Sequence, residues 1–225
     1  MNGSREVLQL LATLTPKVKD CRENFRAQHV GNALYGLQRM GDSHKEVRQL
    51  VAALTPKVQQ CQEALGAQAI GNALYGLQRM TGSQEVLQLL ATLTPKVQAC
   101  QEDLCAQHVG NALYGLQRMG DSHKDVRQLV AALTPKVQQC QGALGGQAVG
   151  NALYGLQRMS GSQEVLQLLA ALTPKVKQCD EAFRGQEITN ALYGLQRMDD
   201  SHDEVLQLVA AFDPEGTALL RASGS

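Results

Sequence analysis

Three side chains suited to reading a polymer recur at fixed spacing in this chain. The nonapeptide NALYGLQRM occurs five times and carries an amide, an aromatic ring and a guanidinium at its first, fourth and eighth positions. An asparagine amide can pair with a base edge, a tyrosine ring can stack on a base, and an arginine can reach a phosphate. The three sets are Asn32, Asn72, Asn111, Asn151 and Asn190; Tyr35, Tyr75, Tyr114, Tyr154 and Tyr193; and Arg39, Arg79, Arg118, Arg158 and Arg197.

These side chains belong to a tandem repeat that runs the length of the chain. Successive copies of the asparagine lie 40, 39, 40 and 39 residues apart, because SHKEV in one repeat alternates with SQEV in the next. A fixed period of this size is typical of a solenoid, in which each repeat packs on its neighbours. We expect an all-α fold, a right-handed α-solenoid of about five helical-hairpin repeats plus a C-terminal half-repeat. The predicted single domain, 1–225, divides into repeats 2–40, 41–80, 81–119, 120–159 and 160–198 and a cap, 199–225.

The first half of each repeat predicts one long helix. In the second repeat, apolar residues follow helical spacing from Val47 to Leu65, so we place the helix from about Ser43 to Leu65. Ser43 and Glu46 form a candidate capping box at its start. Thr55-Pro56 interrupts the hydrogen bonding without breaking the apolar phase, which favours one kinked helix. Two shorter helices there, giving three in each repeat, are the alternative.

The second half predicts a helix from about Gln68 to Met80. Its polar stripe holds Gln68, Asn72, Tyr75 and Arg79 within a narrow arc. Asparagine and tyrosine are mediocre helix formers. Helix propensity therefore does not explain their presence on an exposed helix face in all five repeats. Gly76 would lie inside this helix and permit close helix packing.

The stripe resembles a known repeat family. Gln28, Asn32, Leu34 and Tyr35, with their counterparts in every repeat, are similar to the octotricopeptide-like repeats of algal organelle proteins and to the RAP-associated repeats, in which tryptophan is the usual aromatic. The resemblance implies an α-solenoid that binds single-stranded RNA sequence-selectively, usually in chloroplasts or mitochondria. Here tyrosine replaces the tryptophan, and these 225 residues include no RAP domain.

Read with the resemblance, five repeats would contact about five nucleotides. Variation beside the stripe is concentrated one residue after the glutamine, and these candidates for base discrimination are His29, Ala69, His108, Ala148 and Glu187. Two other interpretations remain open. The asparagines and tyrosines could hold neighbouring helices together in a purely structural, natural or designed, array, or the stripe could bind an extended peptide or protein partner, as armadillo scaffolds do. The 21 basic and 21 acidic residues balance and do not by themselves favour nucleic acid.

Cysteine and lysine also recur once in each repeat. The expected spacing between stacked helices is too large for disulfides between equivalent positions. We therefore expect reduced thiols that fill apolar space, which favours a reducing, intracellular compartment. These cysteines are Cys21, Cys61, Cys100, Cys140 and Cys179. Cys105 should be exposed at a loop. Lys17, Lys57, Lys96, Lys136 and Lys175 should be solvated, with their stems packed on the core.

We expect neither enzymatic activity nor a cofactor or metal. His44, His123 and His202 recur two repeats apart, too far to share one ion, and should lie beside helix caps. No apolar run approaches the roughly 20 residues of a membrane span, and the first repeat begins too early to leave room for a signal or transit peptide. The first helix lacks an evident polar cap, which leaves end-to-end self-association open. The last repeat diverges at 212–216 and is expected to serve as a half-repeat cap.

Overall fold

The computed structural model of the chain describes residues 4–212, and within that range it contains eleven α-helices and no strand. The helices are α1 (Arg5–Asp20), α2 (Ala27–Tyr35), α3 (Lys45–Gln60), α4 (Ala67–Tyr75), α5 (Gln84–Gln98), α6 (Ala106–Tyr114), α7 (Lys124–Gln139), α8 (Gly146–Tyr154), α9 (Gln163–Lys177), α10 (Gly185–Leu195) and α11 (Asp203–Phe212). Each complete sequence repeat contributes one long and one short helix. No described helix is both long and apolar enough to cross a membrane.

The helices pack in two layers. The long helices α1, α3, α5, α7, α9 and α11 contact one another in chain order, and the short helices α2, α4, α6, α8 and α10 do the same. Each helix therefore packs mainly on the equivalent helix of the next repeat. The apolar faces of both layers form one continuous core. This arrangement is consistent with an α-solenoid.

The long helix confirms one sequence prediction and corrects two others. α3 continues through Pro56, whose ring is exposed, so a single helix is confirmed and the three-helix alternative is wrong. The helix ends at Gln60, not Leu65. Cys61 and Leu65 are fully buried as their spacing predicted, but they reach the core from the loop after the helix. The predicted capping box is wrong as well, because the helix begins at Lys45 with His44 as its N-cap and no side-chain cap.

The short helix is shorter than predicted in the second repeat. α4 stops at Tyr75, and Gly76 is its C-cap. A Cβ atom on Gly76 would lie 1.9 Å from the carbonyl oxygen of Leu34 in the preceding repeat. Close packing at this glycine is confirmed. The predicted place of the glycine inside the helix is wrong for Gly76 but right for its counterpart Gly194, which lies within α10. Residues 76–80 form turns with i to i+3 hydrogen bonds, and Met80 at their end is buried.

The structure agrees with the predicted placement of the cysteines and contradicts the predicted placement of most of the repeated lysines. Every cysteine of the described residues is a free thiol, those at the centre of the array are buried, and Cys105 is exposed, as expected. Burial raises the pKa of the Cys140 thiol, which suits an apolar filler. The prediction that the lysines are solvated is wrong from the second repeat onward. Lys136, for example, is buried, and its ammonium donates to the carbonyl oxygen of Cys100 in the preceding repeat.

Two kinds of junction alternate along the array and account for the doubled period. At the first kind, the buried Asp42 carboxylate accepts hydrogen bonds from the backbone N–H groups of Thr81 and Ser83, both at 2.8 Å, and Arg48 lies 3.8 Å from Glu85. Asp121 repeats this pattern with Ser160 and Ser162. At the second kind, a glycine with φ of +95° packs against the histidine that precedes the next long helix, as Gly82 does against His123.

The described ends of the array expose apolar side chains that are buried at equivalent interior positions. Leu10 and Leu14 are exposed on α1, whereas their counterparts in α5, Leu89 and Leu93, are fully buried. Leu192 of α10 is likewise exposed, and its counterparts are buried. His44 and His123 are themselves the N-caps, whereas we expected them beside the caps. The first part of the predicted cap forms α11, whereas residues 213–225, with the divergent segment after Phe212, lie outside the described residues.

Candidate nucleic-acid interface

Glutamine and asparagine side chains form two parallel ladders across the short helices. In α2 the residues are Gln28 and Asn32, one helical turn apart on one face. All five glutamines are exposed, and the asparagines are exposed or half-buried. Across residues 4–212, none of these ten side-chain amides makes a hydrogen bond within the protein. The asparagines therefore do not tie neighbouring helices together, and both amide groups of each repeat are available to a ligand.

Two cavities open along these ladders. The first, about 280 Å³, lies between the first two repeats and is lined by Gln28, Asn32, Gln68 and Asn72 together with Glu102. The second, about 450 Å³, lies between the fourth and fifth repeats, with Gln147, Asn151, Gln186 and Asn190 in equivalent places. Its lining also includes Glu181, Arg184 and Glu187. Both cavities are thus dominated by groups that donate or accept hydrogen bonds.

The carboxylate at each cavity is held by a helix N-terminus. Glu102 accepts a hydrogen bond from the backbone N–H of Ala67 at 2.7 Å, and Glu181 accepts one from Gly146 at 3.2 Å. Each glutamate thus caps the short helix of the preceding repeat, where the partial positive charge of the helix end favours an anion. The absence of a side chain at Gly66 leaves space for the Glu102 carboxylate. A Cβ atom on Gly66 would lie 2.7 Å from an oxygen of Glu102.

The tyrosines form one continuous stack. Their ring centroids lie 5.8, 5.8, 5.6 and 5.7 Å apart along the ladder from Tyr35 to Tyr193, with interplanar angles of 20 to 23°. These separations lie in the range of offset-stacked pairs. The faces of Tyr75, Tyr114 and Tyr154 are therefore covered by neighbouring rings, and a ligand meets their edges and hydroxyl groups. Among the described residues, Tyr35 and Tyr193, at the two ends of the ladder, each stack on one tyrosine ring and not on two.

The arginines are not part of the helical stripe that the sequence predicted. Because α4 ends at Tyr75, Arg79 lies in the turn beyond the helix, and the same holds for its counterparts in the other repeats. All five arginines are exposed. Arg39, Arg79 and Arg118 line a cavity of about 260 Å³ that shares no residue with the two amide-lined cavities. The arginines therefore form a separate basic row at the C-terminal end of the short helices.

The five candidates for base discrimination have local structural contacts. The imidazoles of His29 and His108 accept hydrogen bonds from the backbone N–H groups of Arg26 and Cys105, at 3.3 and 3.4 Å, and Glu187 accepts one from Arg184 at 2.7 Å. Ala69 and Ala148 pack on the backbone of Gly31 and Gly110 in the preceding repeats. Of the five, Ala69 and Glu187 line an amide-lined cavity. Sequence reasoning missed Glu102 and Glu181, although glutamate at this place in several repeats could have drawn attention to them.

Comparison with known proteins adds no relative. No protein-family model matches the chain, and no curated protein matches it. Among the described residues, no group of three or more histidine, cysteine, aspartate or glutamate side chains is placed to hold a metal ion. The chemistry that the interface offers is therefore hydrogen bonding by amides and carboxylates, beside a row of guanidinium groups.

Proposed function

We propose that the chain is a right-handed α-solenoid of five repeats and a half-repeat that binds single-stranded RNA and has no catalytic role. The observation that carries this proposal is the ladder of asparagine and glutamine amides without partners inside the described protein. An amide that presents a donor and an acceptor to solvent on every repeat suits a ligand that is itself a regular polymer of hydrogen-bonding groups. The resemblance to octotricopeptide-like and RAP-associated repeats points to the same ligand.

In this proposal the RNA crosses the short helices, with its bases toward the amides and its phosphates toward the arginines. The order along each repeat supports that direction, because glutamine and asparagine precede tyrosine on the helix and arginine follows in the turn. The carboxylates Glu102 and Glu181 lie at the amide-lined cavities, where they would repel a phosphate. The phosphates therefore belong to the arginine side.

Tyrosine takes a different role from the base stacking that the sequence suggested. Since the interior rings stack on one another, bases would lie along the edges of the tyrosine stack and not between the rings. The step of 5.6 to 5.8 Å between rings exceeds the 3.4 Å rise per nucleotide of a stacked strand. The bound strand would accordingly have its bases unstacked and splayed, as in most sequence-specific RNA recognition. The buried free cysteines support a reducing intracellular compartment, and the resemblance extends that proposal to an organelle.

Fluorescence anisotropy of labelled single strands tests the proposal. We expect binding to RNA that weakens steeply as salt rises, because arginine contacts release counterions from the phosphates. The triple variant Asn72→Ala, Asn111→Ala and Asn151→Ala should keep its thermal midpoint, since the removed amides have no protein partners, and should bind at least tenfold more weakly. A matched variant with Gln49→Ala, Gln88→Ala and Gln128→Ala changes exposed amides on the long helices and should bind as the native protein does. Native protein that binds no strand at low salt would rule out this function.

An extended peptide is the second candidate, and one observation favours it. The interior tyrosine faces are covered, so the aromatic surface for base stacking is limited to the two ends of the ladder. An asparagine ladder can instead pair with the N–H and carbonyl groups of a peptide backbone. Binding to a peptide library that depends on the same three asparagines, and that hardly changes with salt, would favour this candidate over RNA.

A further inference from the structure

The first amide-lined cavity differs from the second in its charges. Among the described residues, the lining of the first consists of Gln28, Gly31, Asn32, Gly66, Gln68, Ala69, Asn72 and Glu102, with no cationic side chain. The second contains the Arg184 guanidinium beside its glutamates. The first cavity therefore combines four amides with one carboxylate and no cationic side chain.

The Glu102 carboxylate has acceptor capacity left toward this cavity. One oxygen, Oε2, accepts the Ala67 N–H, and no ion pair involves Glu102 among the described residues. The equivalent Glu63 differs, since its Oε1 lies 4.0 Å from the Arg26 guanidinium. Glycine at position 66, where the first repeat has Arg26, leaves Glu102 without that partner. A carboxylate oxygen at this cavity will favour a ligand group that donates hydrogen bonds.

We propose that this cavity selects bases that carry an exocyclic amino group and disfavours uracil; the inference depends on the proposed function. Adenine presents an amino group with two donors beside the N7 acceptor, and asparagine or glutamine pairs with both in a bidentate manner. The second amino hydrogen reaches a carboxylate. Uracil presents carbonyl acceptors and no amino group, so its oxygens would face the Glu102 charge. Cytosine, like adenine, presents an amino donor, from which a glutamate carboxylate accepts.

The near-identity of the repeats supports a homopolymeric target. Glutamine and asparagine occupy the same two positions in all five repeats, so every repeat offers the same pair of amides. The carboxylate is not uniform, because the fourth repeat has Gly142 where the third has Glu102. Discrimination against uracil should therefore be strongest at the first cavity.

Anisotropy measurements with labelled oligo(A), oligo(C), oligo(G) and oligo(U) RNA of equal length test the inference on the full chain. We expect oligo(A) to bind about tenfold more tightly than oligo(U), which is the discrimination typical of one good bidentate pair. Glu102→Gln retains an oxygen to accept the Ala67 N–H and removes the charge, so it should reduce the preference for oligo(A) over oligo(U) severalfold. Glu23→Gln is the matched control. Glu23 is the exposed counterpart in the first repeat, and this change should leave the preference as it is.

The other possible results separate failure of the base selection from failure of RNA binding itself. Binding of oligo(U) as tight as that of oligo(A) and oligo(C) would overturn the selection against uracil while RNA binding stands. An unchanged preference in the Glu102→Gln variant would overturn it too. Binding to none of the four strands would defeat the proposed function and the inference together. Thermal melts of each variant followed by circular dichroism will show that the comparison is made between folded proteins.

Discussion

The side-chain ammonium of Lys136 donates a hydrogen bond of 2.6 Å to the backbone carbonyl oxygen of Cys100, in the preceding repeat. The same contact links Lys57 to Cys21, Lys96 to Cys61 and Lys175 to Cys140. The carbonyl acceptor lies just after the end of a long helix, where the helix dipole favours a positive charge. Four of the five repeated lysines thus join neighbouring repeats.

Replacing Lys136 with methionine should lower stability. The change leaves the Cys100 carbonyl without its charged donor, and hydrogen bonds to charged groups contribute about 1.5–3 kcal/mol each. Lys17→Met is the control, because Lys17 is exposed in the first repeat and should tolerate the change. Urea unfolding followed by circular dichroism measures both. Equal shifts of the two midpoints would mean that the carbonyl contact adds nothing to stability.

The sequence predicted which residues are buried better than it predicted the backbone that buries them. Helical spacing through Leu65 and Met80 placed both in the core, and both are buried, yet each lies beyond the end of its helix. Apolar periodicity reports burial, and a loop or turn can satisfy it as well as a helix. The position of Arg79 was wrong for the same reason, since the stripe was drawn on a helix that ends four residues earlier.

Contacts between repeats lay beyond what the sequence could predict. The repeat implied that equivalent residues align in ladders, and the tyrosines do so. The repeat gave no distance between tyrosines of neighbouring repeats. The sequence therefore could not distinguish rings that stack on each other from rings that are open to a base. The bond from Lys136 to Cys100 joins a side chain to a backbone atom 36 residues away. Residue types alone do not indicate such a pair.

Acid should destabilise the junctions held by Asp42 and Asp121. Burial alone would raise the pKa of each carboxyl, but hydrogen bonds from the backbone of Ser83 and Thr81, and from that of Ser162 and Ser160, outweigh it and lower both pKa values from the ordinary 3.8. A pKa lowered by folding gives stability that is present above pH 3.8 and lost as pH falls through the folded value.

The double variant Asp42→Asn and Asp121→Asn should therefore melt at a lower temperature than the native protein at neutral pH, and the gap should narrow below about pH 4. Thermal melts across this range measure it. Asp103→Asn, at an exposed loop position, serves as the control and should follow the native curve. A gap that stays constant down to about pH 2.5 would show that ionisation of these two groups does not stabilise the fold.

Alanine at Gly115 should disrupt packing between short helices. A Cβ atom there would lie 2.0 Å from the carbonyl oxygen of Leu74, a backbone atom that cannot rotate away. We expect a loss of at least 3 kcal/mol, at the upper end of the range for overpacking. Gly185→Ala is the control, because a Cβ atom there meets no atom within 4 Å and alanine favours the helix. Chemical denaturation should show a marked loss for the first variant and an unchanged or higher midpoint for the second.

Replacing Tyr114 with leucine should cost more than the same change at Tyr193. Tyr114 stacks on Tyr75 and on Tyr154, at 5.8 and 5.6 Å, whereas Tyr193 stacks on Tyr154 alone and is 48% exposed. Each aromatic pair contributes about 0.5–1.5 kcal/mol beyond the area it buries, so the expected loss is about 1–3 kcal/mol for Tyr114 and about half of that for Tyr193. The chain has five tyrosines and no tryptophan, so the near-ultraviolet tyrosine signal arises from this ladder alone. That signal should fall more for Tyr114→Leu than for Tyr193→Leu, in parallel with the urea midpoints. Equal losses at the two sites would indicate that the rings act by apolar burial and that their stacking contributes little.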